Sequence, residues 1–355
     1  MAADQVDLVL DSILDAPVKD ERALMEFPFF ALTKRPRMTP FVYDDGAVRL
    51  EVQPGHKGIA TMWDKDVLIY CASLINDRLE RGLPVEPKLR FPAYDFLKLT
   101  GRSTSARGYE LFLDALDRLQ STAVKTTITS GHEDIQERRA FSWIDRYRVI
   151  TRKTESGRRV MVAVELTVNE WLWRGLVENR RVLSINRSYF ALSMGIERRL
   201  YELARKHCGR QRAWRVSLGR LAEKCGSERG LKQFRAELAK VIGRDSLPDY
   251  LMAMEQPAEG RDGLAGMIVR FAPRDDRQPE PDLDLFDEPP ALPPPSLALS
   301  PRTVDAARRG HPGYDVDALV RAWRDWTLGR RTVLKDPDQA FLAFCRTYTA
   351  NHPLV

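Results

Sequence analysis

Residues 174–244 carry 18 Lys or Arg against 6 Asp or Glu, a net of +12, although the whole 355-residue chain sums to only +6. A cationic excess gathered on one short stretch suits a polyanion-binding surface, because phosphate contacts supply most of the affinity for a nucleic acid. Within it, Arg229, Lys232, Gln233, Ala236 and Lys240 fall on the side of a helix opposite Leu231, Phe234, Leu238 and Val241. Arginine forks match guanine and glutamine amides match adenine, so Arg229, Lys232 and Gln233 are placed at base edges. Ser227 is placed as the cap of that helix, accepting from its free amides. Arg198, Arg199, Arg205, Lys206 and Arg212, on the preceding helix and just behind it, are assigned to phosphates. Cations on a lone helix ordinarily only solvate it; here they extend over several elements.

Other chemistries lack their residues. There is no GxxxxGK[ST] loop for nucleotide phosphates. The five histidines (His56, His132, His207, His311, His352) never approach one another in sequence, so the paired-His metal site that origin nicking by a tyrosine would need is not expected. Tyr201 and Tyr250 read as core or groove-edge residues, and no elbow motif supports a serine nucleophile. His207 sits at a helix C-terminus, where the dipole favours a cation. Cys71, Cys208, Cys225 and Cys345 have no metal-ligand spacing and read as reduced core thiols. The expectation is a binding protein, not an enzyme, with no metal and no cofactor. With an acidic N-terminus and no run of about 18 apolar residues, it is expected in the bacterial cytoplasm, at nucleoid or plasmid, and not in a membrane.

The elements that must hold the cationic face are legible. Residues 217–225 form a short helix, Gly226 supplies a positive φ at its end, and the basic helix follows. Residues 250–254 and 267–271 alternate as strands joined by a Gly-rich loop, which completes a winged helix. The pattern occurs twice. Arg90 to Gly101 and Arg215 to Gly226 both span 11 positions, and Arg107, Gly108, Phe112, Leu116 and Leu119 match Arg229, Gly230, Phe234, Leu238 and Val241, with a turn three residues longer in the first copy. Strands for the first wing are expected at 123–129, 139–151 and 158–167. In the first copy Glu110, Asp114 and Asp117 point outward and would repel phosphates. Only its turn, with Arg102, Ser103, Thr104, Ser105 and Arg107, is placed to grip a backbone.

The blocks PFFALTKRPR, GIATMWDKDVLIYCASLI, VLSINRSYFALSMGIERRLYELARKHCG and WRVSLGRLAEKCGS, in order between Glu26 and Phe271, resemble the replication initiator protein A family of plasmids. The resemblance implies a tandem winged-helix initiator that recognises repeated sequences (iterons) in double-stranded plasmid origin DNA. It would help open the origin for host replication proteins, a DnaA-type initiator and the replicative helicase. It also implies repression of its own promoter and a monomer–dimer equilibrium, with DNA contact at 227–240 and 102–107. A transcription repressor of the same fold and a metal-dependent origin nickase are the alternatives.

The expected fold is therefore α+β. Residues 1–25 make an N-terminal arm or helix, with apolar spacing for a helix at 4–15. Residues 26–175 make a first winged-helix domain with dimerisation and weaker DNA contact, and 176–272 a second, the principal DNA-binding one. The helix opening the second domain is expected to be capped by Asn186 or Ser188. Residues 273–302 make a linker: nine prolines lie in 273–301 and seven acidic residues in 275–288, a composition that cannot bury a core. Within it LDLFDEPP has the form of a docking peptide. Residues 303–355 make a small helical unit around Val320, Trp323, Trp326, Leu328, Phe341, Phe344 and Cys345.

Overall fold

The computed structural model describes residues 13–128, 138–255, 263–274, 299–311 and 337–351, apart from positions 15, 156, 158 and 210, together with part of 314–323. It forms two units, Met1–Asp282 and Leu283–Val355. The expected helix at 4–15 and nearly all of the linker, LDLFDEPP included, lie outside the described residues.

In the first unit β1 (Lys19–Glu21) and α1 (Arg22–Glu26) lead through an irregular arm to the hairpin β2 (Phe41–Asp44) and β3 (Arg49–Gln53). Then come α2 (Lys65–Glu80), β4 (Lys88–Pro92), α3 (Ala93–Leu99), α4 (Ala106–Ser121), β5 (Ala123–Thr126) and β6 (Arg139–Ser142). β7 (Ile144–Lys153), β8 (Arg159–Val168), α5 (Glu170–Val177) and β9 (Val182–Ser184) follow. Beyond a 3-10 turn at Arg187–Ala191 lie α6 (Gly195–Cys208), β10 (Trp214–Ser217), α7 (Leu218–Cys225), α8 (Leu231–Arg244), β11 (Tyr250–Glu255) and β12 (Ile268–Pro273).

One order of elements occurs twice: α2, β4, α3, α4, β7, β8 and then α6, β10, α7, α8, β11, β12. Both sheets are antiparallel and place the last strand in the middle, as β4-β8-β7 and β10-β12-β11. Gly101 and Gly226 hold matching turns at φ 65°, a left-handed conformation that a side chain resists. Behind them Phe112, Leu116 and Leu119, and likewise Phe234, Leu238 and Val241, are buried.

Three expectations need correction. The strand at 139–151 is two strands in two sheets, because β5 and β6 join β2 and β3 in a separate sheet of order β2-β3-β5-β6. The break is at Trp143, whose buried ring meets Phe29 and Phe30 of the arm at 5.1 and 5.0 Å. Ser227 does not cap α8; the N-cap is Gly230, and the Ser227 hydroxyl closes a local turn by accepting from Arg229 N at 3.3 Å. Asn186 caps the 3-10 turn, not α6, which starts at Gly195 with the Glu197 carboxylate accepting from Met194 N.

The two repeats meet through buried charge. Lys65 of α2 is 0% exposed and lies 2.7 Å from both Asp20 of β1 and Glu202 of α6, while also donating to Leu24 O. Glu202 further accepts from Tyr189 Oη at 2.7 Å and from Arg199 at 3.3 Å. Beside it Asp66 takes Arg198 of α6 at 2.6 Å and Arg102 of the α3–α4 turn at 2.9 Å. Burial pushes the Asp20 carboxyl up, with Lys65 acting against it.

The second unit, by itself, packs Ala307, Val316, Leu319, Trp323, Phe341 and Cys345 between helices that include Pro301–Gly310 and Pro337–Asn351. All four cysteines of the chain are buried free thiols, and among the described residues no helix is long and apolar enough to cross a membrane.

Removing one partner from a buried ion pair strands the other. Lys65→Met, similar in volume, is expected to lower unfolding free energy by about 3–5 kcal/mol, checked by urea denaturation of the full chain.

Candidate nucleic-acid interface

The helix α8 stands on its apolar side and leaves the rest to water. Lys232, Gln233, Arg235, Ala236, Ala239 and Lys240 are exposed, while Phe234, Leu238 and Val241 face the core. Lys232, Arg235 and Lys240 have no ion-pair partner among the described residues. Arg229, just ahead of the helix, is exposed and reaches Glu237 at 3.7 Å. Arg235 belongs to this face and was missed from the sequence, although it lies three residues beyond Lys232 and so on the same side.

The turn before α8 is braced from outside its own repeat. A Cβ on Gly226 would lie 2.8 Å from Pro28 and 3.1 Å from Phe41, so arm and β2 press against the turn. Arg220 of α7 pairs with Asp45 of the β2–β3 hairpin at 2.9 Å, and Asp45 also accepts from Tyr43 Oη. Arg37 of the arm pairs with Glu228 at 2.5 Å.

Several residues assigned to phosphate lie elsewhere. Arg198 and Arg199 are each 2% exposed. Arg198 is fixed by Asp66 and the carbonyls of Phe190 and Leu192; Arg199 by those of Met25, Glu26 and Lys224. Neither can meet a polyanion in this structure. Arg205 donates to Ser184 O at 2.7 Å, and Lys206 pairs with Glu26. Arg212 remains exposed.

In the first repeat Arg102 is turned inward to Asp66, while Ser103, Thr104, Ser105 and Arg107 are exposed, Arg107 facing Glu110 at 3.0 Å. Asp114 and Asp117 are not bare carboxylates, because Lys57 reaches them at 2.7 and 2.5 Å. That outer face is nearly neutral, with Leu111 among its exposed residues.

His207 lies in the last turn of α6 with the Glu26 carboxylate 2.9 Å from its Nε2. It stacks on Trp214 at 4.4 Å, and burial lowers its pKa although Glu26 pulls the other way. Glu26 is raised by burial, but His207 and Lys206 outweigh this and hold it far below the usual carboxylate range.

The repeated order of helices and strands, with an exposed cationic face on α8, defines a mixed α/β protein built on an internal repeat. A family model described as Replication initiator protein A matches residues 19–252, and the chain belongs to that family. A putative replication protein of Wigglesworthia glossinidia brevipalpis is 32% identical over 243 residues, 68% of this chain and 86% of that protein. Domains 2 and 3 of RctB, solved as selenomethionine derivatives, superpose with a TM-score of 0.53 at 14% identity over 72% of this chain and 99% of that one, which shows a shared mixed α/β fold. The Pi initiator protein in complex with iteron DNA is similar with a TM-score of 0.43 at 15% identity over 61% of this chain and 92% of that one, too loose a likeness to carry an argument.

Arg198→Ala is expected to cost about 3–5 kcal/mol of stability by stranding Asp66, whereas Lys232→Ala with Arg235→Ala should stay within about 0.5 kcal/mol for each change; urea denaturation separates them. For His207, whose folded pKa is depressed, the unfolded chain binds the proton better. Stability should therefore fall as pH drops through the unfolded value of about 6.5, and His207→Gln should flatten the melting temperature between neutral and mildly acid pH.

Proposed function

We propose that this chain initiates plasmid replication by binding repeated sequences at the plasmid origin, helping to open the duplex for host replication proteins, and that it represses its own promoter. The observation that carries this reading is the outer face of α8, where Lys232, Arg235 and Lys240 have no ion pair among the described residues and flank Gln233. A helix that follows a braced turn and points amide and guanidinium groups at solvent suits the major groove. Membership of the replication initiator protein A family supports initiation as the purpose of that binding.

In this reading the repeated element order is a tandem of winged helices. The second reads sequence through α8, with the β11–β12 hairpin as its wing. The first, with its nearly neutral α4, adds weaker contacts and a surface for dimerisation in a monomer–dimer equilibrium. The work is done by binding in the bacterial cytoplasm. Favourable interactions with a deformed duplex offset the cost of deforming it.

A plasmid carrying only this gene and the fragment upstream of it should replicate in a bacterial host, and a footprint on that fragment should show regularly spaced protection. Protection of a promoter without replication would leave a repressor, and nicked supercoiled DNA in magnesium would leave a nuclease. Gln233→Ala should lose about 1–3 kcal/mol of discrimination at one base position, while Lys240→Ala weakens all sequences alike; quantitative binding to single-base variants of the protected repeat checks both.

A further inference from the structure

The arm between α1 and β2 contains a loop held in shape at both ends. Ala31 N donates to Ala60 O at 2.9 Å and Ala31 O accepts from Met62 N at 3.0 Å. Six residues later Arg37 O accepts from Ile59 N at 2.9 Å, and Pro36 and Arg37 press on Gly58, where a Cβ would lie 3.0 Å from each. Between these anchors Thr33, Lys34, Arg35 and Pro36 are exposed, and Thr33 Oγ1 donates to Arg35 O at 3.1 Å. Leu32 O packs against Gly195 at the start of α6, where any Cβ would collide with it. A loop pinned in this way loses little freedom when a ligand arrives.

Its position joins the turns of both helix-turn-helix units. Toward the first, Lys34 Nζ lies 4.7 Å from the centre of the Trp63 ring, and Trp63 O accepts from Arg102 at the α3–α4 turn. Toward the second, Arg37 holds Glu228, and Thr33, Arg37, Ser227 and Arg229 share one cleft of about 120 Å³. Arg35 makes no ion pair among the described residues.

We propose that residues 32–36 form a third contact to DNA, with Lys34 and Arg35 on the sugar–phosphate backbone between the segments met by the two helix-turn-helix turns. This rests on the DNA-binding reading of α8. A duplex engaged at both turns runs past the loop that connects them, and two cations standing on a preformed loop meet phosphate there without rearrangement. Because both are exposed and Pro36 and Arg37 fix the backbone, the loop adds affinity without reading sequence.

The test uses the full chain, fluorescence anisotropy and a mixed-sequence duplex several helical turns long, titrated over a range of salt concentrations. Each phosphate contact contributes about 0.9 to the slope of log affinity against log salt, so Lys34→Ala with Arg35→Ala should make the slope shallower by about 1.8. Its melting temperature should be that of the wild type, and the swapped variant Lys34→Arg with Arg35→Lys should keep the wild-type slope. Arg81→Ala, at the far end of α2, whose 16 residues span about 24 Å, is the control and should leave the slope in place. An unchanged slope in the double alanine variant, or an equal loss in Arg81→Ala, overturns the proposal while leaving the α8 reading standing. A wild-type chain that does not bind the duplex at low salt removes both.

Discussion

An ammonium group cut off from water, that of Lys65, ties the first half of this fold to the second. Moving such an ion into a dry interior costs of order 20 kcal/mol in the ideal case and still several after relaxation. Here two carboxylates and a carbonyl stand in for the lost hydration, and they come from three separate elements, β1, α6 and the segment at Leu24. Losing the ammonium would leave two buried carboxylates without it. The neighbouring group of Asp66, Arg198 and Arg102 repeats the principle and reaches the α3–α4 turn. The first helices of the two repeats are thereby fixed to each other by electrostatics, and the arm that crosses between them inherits its place.

This changes how the local charge excess should be understood. Much of the +12 counted over residues 174–244 faces inward or is already paired: Arg198 and Arg199 inside the core, Lys206 and Lys224 on Glu26, Arg220 on Asp45. Lys232, Arg235 and Lys240 of α8 are among the cations that still face solvent without an ion pair among the described residues. A binding surface built from fewer, more exposed cations is easier to aim than a diffuse positive shell.

The repeated pattern was legible in the sequence because it is local. Turn glycines at 101 and 226 and the apolar spacing behind them are set by helix geometry alone, and the structure keeps every one of those positions. The face of α8 was legible for the same reason. Arg198 and Arg199 were not, because their partners lie 132 and 174 residues away, and no periodicity within α6 announces a helix buried along both sides. Ser227 was misassigned because an extended turn separates it from α8, a matter of backbone path. The split at Trp143 was hidden because its ring seats among aromatics of the arm, a tertiary contact that strand propensity cannot foresee.

Every thiol in the chain is shut inside a core, and burial pushes Cys208 and Cys225 up to about 11 and about 12 and Cys345 to about 11, with Cys71 raised further still. Thiolate, the form that alkylates and oxidises, is therefore scarce at every native position. A single cysteine introduced on the solvent side would be the sole point of rapid attachment, so a fluorophore or a crosslinker can be addressed to one chosen residue with the four native sulfurs left in place.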